Sequence, residues 1–483
     1  MIPKDIDAVL NEVSVQTGSP ADLVTLRVTV CGISCALLTC EGMVSSAQTA
    51  EQILEPVRQI TGTFYDGNSL LSTVKQRIPL ACDMQEVTAP DKLISLLFAG
   101  FAVLVIDGAD RVLCFGVQGF PVRGISEPSG ELNIYGAKEG FTEPVRTNIS
   151  LIRRRMRSPL MQFELHHAGT VSQTELCICW LSDRVQPDLL DEIRRKIDSL
   201  PLETVLSSGY VRPFLEQSDT ALIHSIGTTE RPDVFCAKIL EGRVGILIDG
   251  TPFALVIPQL FCETFQTLDD YNYPPAYATL LRWLKYAAAL ISLLLPGAYL
   301  AVALHHPELL NETLLRLLTA SEQQGAFSIA AEMLGILFMY ETVREAGLRL
   351  PKAVGGAVSL IGGLLIGDAA VQSGLVSTPV LTVTALSVTA GFIIPEHHAA
   401  LTVLRPAFVL IAAAAGIPGI ALLLMLLIYH ICGLEVMGFP AAAPVAPLVP
   451  ERLREVFGRI GFTRLSQGNF RVSEIRKAKT VRS

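Results

Sequence analysis

The chain has 483 residues, half of them hydrophobic, with a mean hydropathy of +0.45 and a formal charge of −8. That length fits about three domains. The hydropathy is too high for a soluble protein throughout, and the acidic balance excludes a general nucleic-acid binder.

The first residues, MIPKDIDAVLNEVSVQTGSP, hold no apolar core and no small-residue cleavage site, so they are not read as a secretory signal. The soluble half is therefore expected in the cytoplasm. Nine of the ten cysteines lie in it (Cys31, Cys35, Cys40, Cys82, Cys114, Cys177, Cys179, Cys236, Cys262). They are scattered, without CxxC spacing or nearby histidines, so they are expected as reduced thiols with no metal.

Strands are expected at Val24–Val30, Met161–His166 and Glu175–Leu181, and helices at Ala47–Gln59 and Pro187–Ser199. Two segments resemble each other. Gly100–Gly108 (GFAVLVIDG) and Gly242–Gly250 (GRVGILIDG) each run from a glycine through an apolar stretch to an Asp-Gly turn. Second apolar runs follow at Arg111–Val117 and Phe253–Ile257. Asp-Gly between two such runs signals a hairpin. Helical stretches precede both, at Asp91–Ala99 and Pro232–Glu241. The repeat implies two similar α/β subdomains, one within residues 1–140 (1–90 its first part, 91–140 the rest) and one over 158–270.

Between them, residues 141–157 read as a linking helix. Thr142 suits the N-cap, Glu143 and Pro144 the first turn, and Arg153, Arg154, Arg155 and Arg157 the C-terminal end. Glu143, Arg146, Arg153, Arg154 and Arg155 are expected at a subdomain or subunit interface rather than on nucleic acid. No P-loop, GxGxxG, GxSxG or HExxH occurs. The histidine pairs 166/167, 305/306 and 397/398 are poor ligand sets because neighbours point apart. No enzyme activity and no cofactor are expected.

From Tyr286 to Ile431 long apolar runs dominate. Tyr286–Leu304, Ala353–Val371 and Leu375–Ile394 each approach the ~20 residues that cross a hydrocarbon core. Ala326–Thr342, with Glu332 and Glu341, is a more amphipathic candidate. Thr402–Cys432 is interrupted by Pro406 and by Gly416-Ile417-Pro418-Gly419, so it reads as two short spans or a hairpin. Residues 280–433 thus form a transmembrane domain of four to six spans. The tail, 434–483, is basic: from Glu451 onward nine Lys/Arg face three Asp/Glu, leaving +6 there and −14 elsewhere. It is expected to be cytoplasmic, solvated and close to anionic lipid. The fold class is an α/β cytoplasmic N-terminal region of two similar subdomains followed by an all-α multi-pass transmembrane domain.

Ala353–Val371 has two faces. Gly356, Ser359, Gly363 and Gly367 form a helix-packing stripe. About 140° around lie Val354, Val358, Ile361, Leu365, Asp368 and Gln372. Asp368 either caps or pairs locally, or lines an aqueous pathway; in the second case this stripe faces a pore.

EGFTEPVRTNISLIRRRM (139–156), TERPDVFCAKILEGRVGILIDGTPFALVIP (229–258), FQTLDDY (265–271), LRWLKY (281–286), REAGLRLP (344–351) and IGDAAVQSGLVSTP (366–379) resemble the A subunits of GerA-type spore germinant receptors. The first 90 residues match that family only in length and general pattern, and the segment after the last span departs from it. The resemblance implies a multi-pass protein of the spore inner membrane. It implies a homo-oligomer, a pentamer, enclosing a nutrient-gated ion channel, with a transporter-like B subunit that binds the nutrient and a lipoprotein C subunit. A SpoVAF-like paralogue acting in ion release downstream of the receptors is the alternative within the family. A membrane-anchored sensor or scaffold without a channel is the alternative from another class.

Overall fold

The computed structural model describes residues 2–78, 83–119, 131, 134–216, 222–313, 316, 327–350, 367–461, 472 and 474–475. The soluble half is built twice on one plan. The first unit runs α1 (Ile6–Thr17), β1 (Leu23–Val30), β2 (Ile33–Cys40), a helical stretch over residues 46–58, α2 (Gly67–Arg77), β3 (Met84–Val87), α3 (Pro90–Leu97), β4 (Ala102–Ile106) and β5 (Val112–Phe115). The second repeats that order of nine elements as α4 (Val145–Arg155), β6 (Met161–Ala168), β7 (Thr174–Leu181), α5 (Pro187–Asp198), α6 (Ser208–Glu216), β8 (Gly227–Thr229), α7 (Pro232–Leu240), β9 (Val244–Ile248) and β10 (Ala254–Ile257). The sheets have matching antiparallel strand orders, β1-β2-β4-β5-β3 and β6-β7-β9-β10-β8.

Each sheet is covered on both faces, which is why its central strands read as unbroken apolar runs rather than alternating ones. In the first unit α1 and α3 bury Val103, Val105, Val112 and Cys114 on one face. The stretch 46–58 and α2 bury Leu104, Ile106, Leu113 and Phe115 on the other. In the second unit α4 and α7 cover one face, and α5 and α6 the other.

The Asp-Gly turns do more than close hairpins. The Asp107 carboxylate accepts the N–H of Ile6 at 3.1 Å while the Gly108 N–H donates to the Lys4 carbonyl at 2.8 Å. The Asp249 carboxylate accepts the N–H of Val145 at 2.9 Å while the Gly250 N–H donates to the Glu143 carbonyl at 2.9 Å. Each turn therefore satisfies the start of its unit's first helix, whose leading N–H groups have no partner within the helix. The glycines, at φ of 80° and 84°, supply the left-handed backbone the turn needs. It follows that the stretch read as a linking helix holds in the second unit the place that α1 holds in the first.

The apolar half contains α8 (Pro275–His305), α9 (Ile329–Arg349), α10 (Thr378–Gly391) and α11 (His398–Gly433). Among the described residues two helical stretches, Pro275–His305 and Pro395–Gly433, are long and apolar enough to cross a membrane. The boundaries differ from those expected. α8 begins eleven residues before Tyr286, and α9 continues past Thr342 through Arg344 and Arg349, helped by an Arg349–Glu345 pair at 2.7 Å.

α11 is not one rod. Gly416 has φ 59° and ψ −146°, outside the helical region. Thirty-six straight helical residues would span about 54 Å, yet both ends lie at one place. His397 bonds Thr264 at 2.7 Å, and Ala441, just past the other end, accepts from the Phe261 N–H at 2.8 Å. The chain therefore turns back at Gly416, with legs of about 27 Å (His398–Ala415) and 26 Å (Ile417–Gly433). At the tip, His305 at the end of α8 lies within hydrogen-bond distance (3.0 Å) of the Ala413 carbonyl, a group the kink frees. A Cβ at position 416 would stand 3.1 Å from that ring. Gly416→Ala is thus expected to lower thermal stability in detergent by about 1–3 kcal/mol, since this backbone region is nearly exclusive to glycine. Gly335→Ala, where an added Cβ meets nothing within 4 Å, should be neutral or slightly stabilising by the same measurement.

The tail corrects an expectation. Rather than lying solvated after the last helix, it is built into the protein as far as it is described. Val436, Met437 and Phe439 join the core of the second unit beside α5 and α6. Residues 450–457 form α12 (Pro450–Phe457), which packs on the start of α8.

Candidate functional site at the junction of the two halves

The soluble half, the apolar helices and the tail meet between Leu260 and Tyr286, and charged groups are buried there in unusual number. Three clusters stack along this junction.

The first belongs to the second sheet. Arg243, fully buried, donates from Nη1 to Glu263 at 2.9 Å and to the Pro258 carbonyl, and from Nε to Glu241 at 3.0 Å. Lys238 lies 2.8 Å from Glu263. Burial alone would push the Glu263 carboxyl up, but the charges of Arg243 and Lys238 outweigh it and hold it at about 2. An acid depressed below its ordinary value of 4.5 stabilises the fold above that value and loses its contribution as pH falls toward its folded pKa. Melting temperature is therefore expected to drop as pH falls below 4.5, a loss offset in part by Glu241, whose carboxyl is pushed up by burial. Glu263→Gln should be less stable at neutral pH and show a shallower loss across that window.

The second cluster is aromatic. Phe265 stacks on Tyr286 of α8 (centroids 4.8 Å apart) and on His397 at the start of α11 (4.8 Å), and Phe261 also meets His397 (5.5 Å). The loop that leaves the second sheet thus touches two apolar helices at once.

The third is the LDDY–LRWLKY region. Asp270, 1% exposed, pairs with Arg282 at 3.3 Å and Lys285 at 3.1 Å. Arg282, fully buried, turns its Nη1 to the carbonyls of Glu455 and Gly458, the latter at 2.9 Å. These carbonyls end α12, where a cation is favoured by the helix dipole. Tyr286 Oη donates to the Val456 carbonyl at 3.0 Å, and Trp283 stacks on Phe457. In the sequence Arg282 and Lys285 stand only as cations at the foot of the first long apolar run. Their partner lies 12 and 15 residues back, and the tail's share could not be read from any local pattern.

Of the residues expected at an interface, Arg146 and Arg153 reach from the second unit to the first, while Arg154, Arg155 and Glu143 make their contacts within the second unit. Arg146 reaches Glu41 of the first unit at 2.5 Å and Glu175 of the second at 2.5 Å. Arg153 makes a two-pronged pair with Asp22 (2.9 and 3.0 Å), with Phe98 and Phe163 on its faces at 4.2 and 4.7 Å. Arg154 and Arg155 both reach Glu139 within the second unit's own approach loop. Glu143 contributes its carbonyl to the Asp249-Gly250 turn.

Of the residues expected to line a pore, Val354, Val358, Ile361 and Leu365 lie outside the described residues, as do Gly356, Ser359 and Gly363 of the packing stripe. Asp368 and Gln372 are exposed in the single chain and bond each other at 2.8 Å. A Cβ at Gly367 would meet nothing within 4 Å. The close helix approach that is seen occurs elsewhere, at Gly297 of α8, where a Cβ would stand 3.1 Å from the Phe408 carbonyl of α11. Glu332 of α9 closes the start of α10, accepting from the Ser377 N–H at 2.9 Å and hydroxyl at 2.8 Å. Among the described residues no group of three His, Cys, Asp or Glu side chains is placed to hold a metal ion.

The profile of the family described as the Bacillus/Clostridium GerA spore germination protein matches residues 11–468. The chain belongs to the GerA family. Spore germination protein KA of Bacillus subtilis (strain 168) is 31% identical over 454 residues, covering 93% of this chain and 83% of that protein. Spore germination protein GerLA of Bacillus cereus is 30% identical over 457 residues, covering 94% and 92%. A B. subtilis protein named as the uncharacterized membrane protein YfkQ is 32% identical over 422 residues, covering 87% and 82%. Among solved structures, the N-terminal domain of the A subunit of the Bacillus megaterium spore germinant receptor GerK3 aligns at 26% identity and a TM-score of 0.43, covering 54% of this chain and 97% of that one. The family match spans the soluble units, the junction and the apolar helices alike, so the buried clusters described above all fall within it.

Proposed function

We propose that this GerA-family chain is the A-type subunit of a spore nutrient germinant receptor in the spore inner membrane. In this reading it is a homo-oligomer, a pentamer, that encloses a nutrient-gated ion channel, and it works with a transporter-like B subunit and a lipoprotein C subunit. α8, the two legs of α11 and a returning segment between α8 and α11 cross the bilayer, an even number that keeps the soluble units and the tail on the cytoplasmic side, next to anionic lipid. Membership of the family and the membrane-protein name of one relative support the location. The observation that carries the channel is Asp368. It is an acid among apolar helices, exposed in the single chain and bonded only to its own helix neighbour Gln372 among the described residues. Such a group is costly in lipid unless it faces water or another protein surface. A ring of copies provides both. Each Asp368 then faces an aqueous axis and attracts cations, and each Gly367, open in one chain, receives a neighbouring helix.

The test is reconstitution of the purified chain in liposomes, reading conductance together with the mass of the assembly. Cation conductance by an oligomer is expected. Asp368→Asn should lower it several-fold with assembly intact, and a cysteine at 368 should react with a water-soluble thiol reagent. An assembled chain that stays silent with and without nutrient and partner subunits would make it a sensor or scaffold instead.

A further inference from the structure

Arg405 lies on the first leg of α11 and is 1% exposed. Its Nε donates to the Ser292 carbonyl at 3.0 Å, and Nη2 donates to the Ser292 hydroxyl and to the Ser387 carbonyl at 3.4 Å. All three acceptors are neutral, and Nη1 has no hydrogen-bond partner among the described residues. α10 makes room for the guanidinium with Gly391, where a Cβ would collide with Nη2. Three apolar helices thus hold a cation with no carboxylate bonded to it among the described residues, an arrangement that is expensive in an apolar bundle.

An acid stands one helical turn away. Glu341 of α9 accepts from the Thr402 hydroxyl at 3.0 Å, and Thr402 is three residues before Arg405 on the same face of α11. The same carboxylate takes Arg344 at 3.0 Å and lies 3.5 Å from His398 Nε2. At the other end of α9, Glu332 closes the start of α10 through Ser377. Both acids therefore ride on one helix, and each touches a different neighbour.

We propose that α9 slides between two stations on α11. In the station seen here Glu341 holds Thr402 and His398. In the second, about 4.5 Å farther from the junction (three residues of helical rise), Glu341 pairs with Arg405. The move gives the buried guanidinium its counter-charge. It also draws Glu332 away from Ser377, so the start of α10 loses its cap in the same step and the neighbouring turn that carries Asp368 and Gln372 is released. Turn-by-turn shifts of one packed helix past another are an established form of switching. The proposal concerns helix packing alone and stands whether or not the helices enclose a pore.

Spin labels on cysteines at the exposed positions Leu348 of α9 and Leu410 of α11 read the slide directly. The full-length chain in bilayers is used, with the exposed Cys432 replaced by serine. Thr402→Val with His398→Gln strips Glu341 of its α11 partners, and the label distance is expected to shorten by about 4 Å. Adding Arg405→Gln to that variant should restore the original distance, which also shows that the helices remain folded. An unchanged distance in Thr402→Val/His398→Gln overturns the proposal. So does a shortening that persists once Arg405 is removed.

Discussion

Asp22→Ala is expected to destabilise the soluble half by about 3–5 kcal/mol, a large share of the stability of any single domain. The substitution leaves the Arg153 guanidinium fully buried between Phe98 and Phe163, with only the Ser158 and Met161 carbonyls for company. Cys40, whose thiol donates to Asp22 at 3.0 Å, loses its acceptor as well. Arg153→Ala should cost a similar amount for the mirror-image reason, since Asp22 is then a buried anion without its cation. Replacing both together with Leu and Met should cost much less than either alone, because an apolar pair needs no desolvation to be repaid. Arg154→Ala and Arg155→Ala serve as controls. Their shared partner Glu139 is only partly buried, and surface pairs contribute about 0–1 kcal/mol. Denaturant unfolding of the purified chain measures all five. A cost under 1 kcal/mol for Asp22→Ala would show that water reaches this pair in solution.

That contrast shows what could be read from the sequence and what could not. The run of arginines in 141–157 was legible as a helix end with interface cations, because charge at a helix C-terminus is a local pattern. Which arginine is buried was not legible, since Asp22 lies 131 residues away and no spacing links them. The two-unit plan was visible through the Asp-Gly hairpins, whose turn chemistry is local. The role of those aspartates as caps for α1 and α4 was hidden for the same reason that Asp22 was. In the apolar half, Gly416-Ile417-Pro418-Gly419 announced a break, and the break is a reversal of the chain. The tail misled because nine basic residues dominate its composition. The apolar Val436, Met437 and Phe439 that anchor it come before them and look like the ragged end of a span.

Asp270→Ala is expected to detach the tail from the first apolar helix while leaving both soluble units folded. Asp270 is the acid that neutralises Arg282 and Lys285. Without it the buried Arg282 keeps only backbone carbonyls and a longer contact to Glu455 at 3.5 Å. Removing one member of a buried pair costs about 3–5 kcal/mol, more than a helix of eight residues held by a few ring contacts can absorb. The guanidinium should then turn toward water, and the last turn of α12 loses the group that closes its carbonyls. Limited proteolysis reads the result: cleavage between Gly433 and Pro450 should speed up at least tenfold, with no new cuts inside the two α/β units. Arg282→Lys should behave like Asp270→Ala, because a compact ammonium lacks the planar fork that reaches Asp270 from Nε and the two carbonyls from Nη1. Lys285→Ala should have a small effect, since its ammonium leaves the Asp270–Arg282 pair intact. If Arg282→Lys protects the tail as well as the native residue does, charge alone holds the junction and the forked geometry is dispensable. If proteolysis instead opens the second unit first, Val436 and Phe439 are the real anchor and the charge cluster only follows them. The expected order, tail before unit, rests on where the buried charges sit: between α8 and α12, on the side of the junction that faces the apolar helices.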